Sequence, residues 1–191
     1  LPHELVSYME YITDINRDRN KQIISQAKEL NSLLLANNIK PIFLKGTGNL
    51  LAGIYDDIAE RMVGDIDFVF SKIDFPKAII LLKEFGYDKE IHHDLPYYRH
   101  YPRIIRKDSI AAVEIHKDLL SEKYVNEFNY NFVVKDSQVI NGAAVLSYAN
   151  KLNLSIIANQ INDNGFYYKT MALRNAYDVF LLSKKTNAKV A

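Results

Sequence analysis

A chain of 191 residues, 48% hydrophobic and 25% charged, has the make-up of a globular domain able to bury a real core. Its formal net charge of +1 gives no global field to recruit long nucleic acid or an anionic membrane, although a local tRNA site is not excluded. Cysteine is absent, which excludes disulfides, thiolate metal sites and cysteine nucleophiles. No apolar run approaches the ~18 residues of a bilayer span and no signal-type segment opens the sequence, so the expectation is a cytoplasmic protein without a membrane partner.

In chain order, Leu5, Val6, Met9 and Ile12 form a weak helical spacing over residues 1–13, suited to a short helix packed on the main body. A stronger period follows in Ile23, Ile24, Ala27, Leu30, Leu33 and Leu34, which predicts a helix from about Asp14 to Ala36. Asn37-Asn38 and Pro41 end it. Ile42-Phe43-Leu44 reads as a strand that breaks at Lys45-Gly46-Thr47, with a helix from Gly48 to about Tyr55. After an acidic loop comes a second strand, Asp65 to Phe70.

A helix over Phe75–Phe85, capped by Ser71 or Asp74, stops at Gly86. Tyr101–Arg106 and Ile110–Ile115 read as a hairpin turning at Lys107-Asp108-Ser109. Alternation along its second strand sets Ala112, Glu114 and His116 on one face and Val113 and Ile115 on the other. One more short strand is expected near Phe132–Val134 or Val139–Ile140. From Ala143 the pattern turns helical, with helices over about 143–162 and 166–184 and core candidates Met171, Leu173, Ala176, Val179, Phe180 and Leu181. The organisation is an α/β body over 1–140 and a helical appendage over 141–191.

The chemistry concentrates between Pro41 and Phe70. Residues i and i+2 of a strand share a face, so Asp65 and Asp67 stand side by side and repel unless protons, water or a cation neutralise them. A divalent cation matches such hard oxygen ligands, and Glu114 on another strand supplies a third carboxylate. A solvated strand-end pair remains the plain alternative. At Lys45-Gly46-Thr47, a glycine permits close approach of a phosphate, and the Thr47 hydroxyl suits a phosphate contact and a helix cap. A simple strand-to-helix turn accounts for it equally well. Arg61 is placed to neutralise the acidic cluster or to contact phosphate, or else to pair on the surface with Asp56, Asp57 or Glu60.

Taken together, LKGTGNLL, the Arg61-Met-Val-Gly-Asp-Ile-Asp-Phe run and Val113-Glu114-Ile115-His116 resemble the DNA polymerase β-type nucleotidyltransferases. More narrowly they resemble a bacterial group of uncharacterised nucleotidyltransferases with L-K-G, R-x-x-x-D-[IL]-D and [VI]-E-[IL]-H motifs. The resemblance implies an α/β (α+β) fold with a mixed sheet flanked by helices. It implies that Lys45, Gly46, Thr47 and Arg61 bind nucleotide phosphates and that Asp65, Asp67 and Glu114 hold Mg²⁺ or Mn²⁺. Glu114 would also help deprotonate the acceptor hydroxyl. Thr47 stands where the superfamily has Ser, Glu114 where it commonly has Asp, and 17 residues separate Thr47 from Asp65, a longer gap than usual.

The implied reaction moves NMP from an NTP to a hydroxyl of a small molecule, a protein or an RNA end, and releases pyrophosphate. An inactive nucleotide-binding or interaction module and a metal-dependent phosphoesterase are the competing readings. His116 faces the same site if Glu114 does and is a candidate acceptor contact, with a structural histidine as the alternative. Tyr97-Tyr98-Arg99-His100-Tyr101 with Arg103, Arg106 and Lys107 forms the basic-aromatic concentration, suited to a nucleobase or an acidic acceptor, or to guarding a hairpin edge. His92-His93-Asp94 invites a metal reading, although adjacent loop histidines rarely converge on one ion. Arg174 and Asp178 form an i,i+4 pair of structural type.

Overall fold

The computed structural model describes residues 1–89 and 99–186. His92, His93, Asp94, Tyr97 and Tyr98 lie outside the described residues.

The chain opens on one uninterrupted helix, α1 (His3–Ala36), where the sequence suggested a short helix and a longer one. Nothing between Glu10 and Asn16 breaks a helix, and Asp14 turns its carboxylate to Arg17 one turn on. The segment does not pack on the body: Leu5, Val6, Tyr8, Met9, Tyr11, Ile12 and Ile15 are all exposed. Burial begins at Asn20 and continues through Ile23, Ala27, Leu30 and Leu34. Ile23, Leu30 and Leu34 each contribute about 1.5–3 kcal/mol by leaving water. The helix ends as expected at the asparagines, with Asn38 at φ +59° and the Ile39 N–H donating to Leu34 O at 2.9 Å.

Three buried amides fasten α1 to loops far along the chain. Asn20 donates to Ile58 O and Arg61 O, Gln26 bonds both backbone groups of Ala111, and Asn31 donates to Gly142 O. Unpaired backbone groups under a helix are costly, and these side chains remove that cost.

The strands β1 (Ile42–Phe43), β2 (Asp65–Val69), β3 (Asp88–Lys89), β4 (Ile104–Ile105), β5 (Ala112–His116), β6 (Gln138–Ile140) and β7 (Ala143–Val145) form one mixed sheet in the order β3-β4-β5-β2-β1-β7-β6. β2 runs parallel to β5 and antiparallel to β1. The expected hairpin is present, with Ile104 opposite Val113. Phe132 lies in a short helix, α4 (Tyr130–Val133), so the later strand falls at the second of its two expected places. Ala143–Val145 is a strand rather than the start of a helix, because it pairs with both β6 and β1. The boundary drawn at 140–141 therefore falls in the turn of a hairpin.

The helices are α2 (Lys45–Leu51), α3 (Asp74–Glu84), α5 (Tyr148–Ile157, continued by a π-turn over Ala158–Asn162), α6 (Gly165–Tyr168) and α7 (Leu173–Ser183). The single helix expected over 166–184 is broken at Lys169, which adopts φ +55°. Met171, Leu173 and Phe180, expected in the core, are exposed; α7 buries Asp178 and Leu182 instead. Among the described residues no helix is long and apolar enough to cross a membrane.

The period of two in β2 and β5 decides what each sheet face carries. Ile66, Phe68, Val113 and Ile115 enter the larger core with α1 and α3. Asp65, Asp67, Glu114 and His116 take the other face, beside a smaller apolar cluster that includes Val69, Leu146 and Leu154.

Candidate active site

β2 and β5 pair in parallel with Asp67 opposite Glu114, so one strand register brings the carboxylates together. His116, two residues on, completes the group: ligand atoms of Asp67, Glu114 and His116 lie within 4.8 Å of one another. His116 Nε2 donates to Asp67 Oδ1 at 2.9 Å and sits 3.4 Å from Glu114 Oε2, while its Nδ1 is buried without a hydrogen-bond partner. The ring is 1% exposed, so His116 stands behind the carboxylates rather than on the cleft surface.

Lys45 closes the group from the other side. Its Nζ lies 2.5 Å from Asp67 Oδ1 and 3.3 Å from Glu114 Oε2. Burial works to lower the Lys45 pKa, but the two carboxylates outweigh it and the net shift is upward. Burial likewise would raise Glu114, yet hydrogen bonding from His116 and the Lys45 charge hold it well below the usual carboxylate range. Asp65 borders the same cleft next to this group and meets Arg103, Nη2 to Oδ1 at 2.6 Å. Burial raises the Asp65 pKa, the Arg103 guanidinium opposes that, and the neighbouring carboxylates Glu114 and Asp67 add to it.

The Lys45-Gly46-Thr47 turn differs in detail from its expected use. The helix starts at Lys45, whose φ of +48° lies in the left-handed region that few non-glycine residues occupy. Thr47 does not cap α2; its hydroxyl donates to the backbone carbonyl of Asp65 at 2.7 Å and so fixes the start of β2. Gly46 lines the cleft, and a Cβ there would meet Val63 Cγ2 at 2.9 Å. Gly48 is needed where α2 crosses β1, since a Cβ would come within 2.7 Å of Phe43 O.

The acidic partner of Arg61 is neither the Asp67 cluster nor Asp56, Asp57 or Glu60. Arg61 Nε donates to Asp178 Oδ2 at 3.2 Å, and the other Asp178 oxygen accepts from Tyr55 OH at 2.8 Å. The i,i+4 pair of Arg174 and Asp178 is accordingly not formed; both border the cleft, Asp178 buried and Arg174 exposed. Burial pushes the Tyr55 hydroxyl pKa upward, and the Asp178 charge adds to it.

The cleft encloses about 310 Å³ between the carboxylates and helices α5 and α7. Lys45, Arg61, Arg99, Lys151 and Arg174 line it together with Asp65, Asp67 and Glu114. Lys151 was not anticipated. It is 3% exposed, donates to Gly48 O at 2.7 Å, and burial pushes its ammonium down to about 7. A readable signal existed: Ser147, Lys151 and Leu154 share a helix face at i, i+4, i+7, which sets a lysine on a buried stripe. The basic-aromatic hairpin divides. Arg99 and Arg103 turn to the site, whereas Arg106 pairs with Glu29 of α1 and lies over the rings of Phe85 and Tyr87.

Two carboxylates within reach of one point, backed by the buried His116 imidazole and with Asp65 adjacent, form an oxygen donor set that fits a divalent cation.

A mixed sheet with paired carboxylates on adjacent parallel strands beneath a cationic cleft is the arrangement of a nucleotidyltransferase fold. ANT(2")-Ia, solved as a crystal structure with adenylyl-2"-tobramycin, superposes with a TM-score of 0.58 at 10% identity over 87% of this chain and 91% of that one. The solution structure of the antibiotic-resistance factor ANT(2'')-Ia gives 0.56 at 10% identity, covering 87% and 85%. An antigenic nucleotidyltransferase-like protein from Paracoccidioides brasiliensis gives 0.53 at 13% identity, covering 87% and 77%. No curated protein matches the sequence. Over residues 1–190 the chain matches the family described as "Uncharacterised nucleotidyltransferase", and it belongs to that family.

Proposed function

We propose that the cleft binds a nucleoside triphosphate with Mg²⁺ or Mn²⁺ and transfers its nucleotidyl group to an acceptor hydroxyl, releasing pyrophosphate. The observation that carries this reading is the register of Asp67 opposite Glu114 at the floor of a cleft walled by lysine and arginine. Carboxylates suit a cation, and the cationic wall suits a triphosphate.

In this reading Asp65, Asp67 and Glu114 hold the cation, and His116 orients Asp67 from behind. The cation would polarise phosphoryl oxygens and shield the charge that builds in transfer. Lys45, Lys151 and Arg174 would meet the phosphates, with Gly46 at the wall, Thr47 holding the start of β2 and Arg61 held through Asp178. Arg99 and Arg103 stand where the acceptor would approach. The acceptor oxygen attacks the α-phosphorus, the bond to the bridging oxygen breaks, and the hydroxyl proton passes to Glu114. Most of the rate enhancement would come from positioning and charge stabilisation.

A small hydroxyl-bearing molecule is the favoured acceptor, because a net charge of +1 offers little to long nucleic acid. The adenylyl-2"-tobramycin held by ANT(2")-Ia is consistent with that choice. A cytoplasmic location, where NTP is supplied, suits this reading. The test supplies each of four α-labelled NTPs with small-molecule extract and follows labelled adducts and pyrophosphate together. Both should form in equal amounts and both should disappear in Glu114→Gln. Pyrophosphate or phosphate release without any adduct would turn the reading towards a phosphoesterase.

A further inference from the structure

Lys45 has a place in this site that phosphate binding alone does not explain. Its ammonium lies against the same two oxygens, Asp67 Oδ1 and Glu114 Oε2, that a divalent cation would need. A cation bound to Asp67 Oδ1 at about 2.1 Å and an ammonium hydrogen-bonded to the same atom would be like charges in near contact. They cannot share the position. The lysine stem rises from the first residue of α2, at the wall of the open cleft, and its side chain is 36% exposed. It therefore has room to leave. The backbone at Lys45 holds φ +48°, a conformation in which glycine would be at ease and lysine is not. Lysine stands there despite the backbone.

We infer that Lys45 is a built-in stand-in for the divalent cation, which holds Asp67 and Glu114 in ligating geometry and must be displaced before metal enters. Its natural destination is an anionic phosphate in the same cleft. Metal entry thereby depends on arrival of the nucleotide, and the free protein resists loading with metal alone. The arrangement differs from that around Asp178 of α7, where Arg61 and the Tyr55 hydroxyl take one carboxylate oxygen each. The inference rests on the metal-binding reading of Asp67 and Glu114.

The test measures Mn²⁺ binding to the full chain without nucleotide, by the electron paramagnetic signal of free Mn²⁺. Lys45→Met removes the charge and keeps the stem; Lys45→Gly removes the side chain at a φ that favours glycine, so the backbone is not strained further. Both variants should bind Mn²⁺ more tightly than the unaltered protein, by about tenfold, the scale of an ordinary coupling between two ligands. Adding Asp67→Asn to either should abolish the gain. Equal or weaker binding in both Lys45 variants, or no binding by any of them, overturns the stand-in. Asp67→Asn in the otherwise unaltered protein, with a non-hydrolysable NTP present, judges the metal site separately. If Mn²⁺ binding is then lost, the site survives without the stand-in; if binding persists, the site itself is misread.

Discussion

Two buried acidic centres lie along the same cleft and are built in opposite ways. At the Asp178 centre both carboxylate oxygens are taken, one by Arg61 and one by Tyr55, and the acidic and basic side chains are 5% and 10% exposed. At the Asp67 centre the acids are packed by strand register, but the cation is Lys45, on a long flexible stem open to the cleft. The first ties α7 to the body between residues 117 positions apart. The second is poised to exchange its cation. A buried carboxylate with both oxygens taken by short, well-packed partners is structural, whereas one paired with a half-exposed lysine that can leave is equipped for binding.

Three measurements sharpen that contrast, in decreasing order of expected effect. Asp178→Ala leaves the Arg61 charge and the Tyr55 hydroxyl buried without their partner, and should cost about 3–5 kcal/mol in urea unfolding. A cost below about 1 kcal/mol, typical of a surface pair, would remove the distinction between the two centres.

Lys151 gives a pH test of the neighbouring helix. Burial lowers its folded pKa to about 7 from an ordinary 10.5. Below about 7 both folded and unfolded chains carry the proton, and the folded state bears the full cost of the buried charge. Between there and 10.5 the unfolded chain holds a proton that the folded chain has released, so stability rises with pH. Relative to Lys151→Met, the unaltered protein should gain roughly 1–3 kcal/mol over the first two or so pH units of that window, from about pH 7 to about pH 9. Parallel pH profiles for the two would show that the lysine stays charged when folded.

Glu114→Gln is the mild case. It preserves shape but takes away the charge that His116 and Lys45 hold ionised, and should cost about 1–2 kcal/mol, less than Asp178→Ala, while removing nucleotidyl transfer. A loss as large as that of Asp178→Ala would make Glu114 a structural residue.

The floor of the site was legible in the sequence because its causes are local. A period of two puts Asp65 beside Asp67 and Glu114 beside His116, and the Lys45-Gly46 turn follows directly from an apolar run. The walls were not legible. Arg61 meets Asp178 across most of the chain, and no spacing rule connects them. The i,i+4 rule instead suggested Arg174 for Asp178, although Asp178 shares a helix face with the buried Leu182 and that was the better signal. β7 was read as helix because Ala143-Ala144-Val145 has no period of its own; pairing with β1 and β6 decides its conformation. The apolar spacing of residues 1–13 did predict helix, but not where that helix would point.

The central claim is that Asp67 and Glu114 bind nucleotide through a metal. Titration calorimetry of a non-hydrolysable NTP, with Mg²⁺ and with chelator, tests it on the unaltered protein, Asp67→Asn and Glu114→Gln. The account predicts binding that requires Mg²⁺ and is lost in both variants while their melting temperatures hold. Binding of equal strength in chelator that survives both substitutions would contradict it.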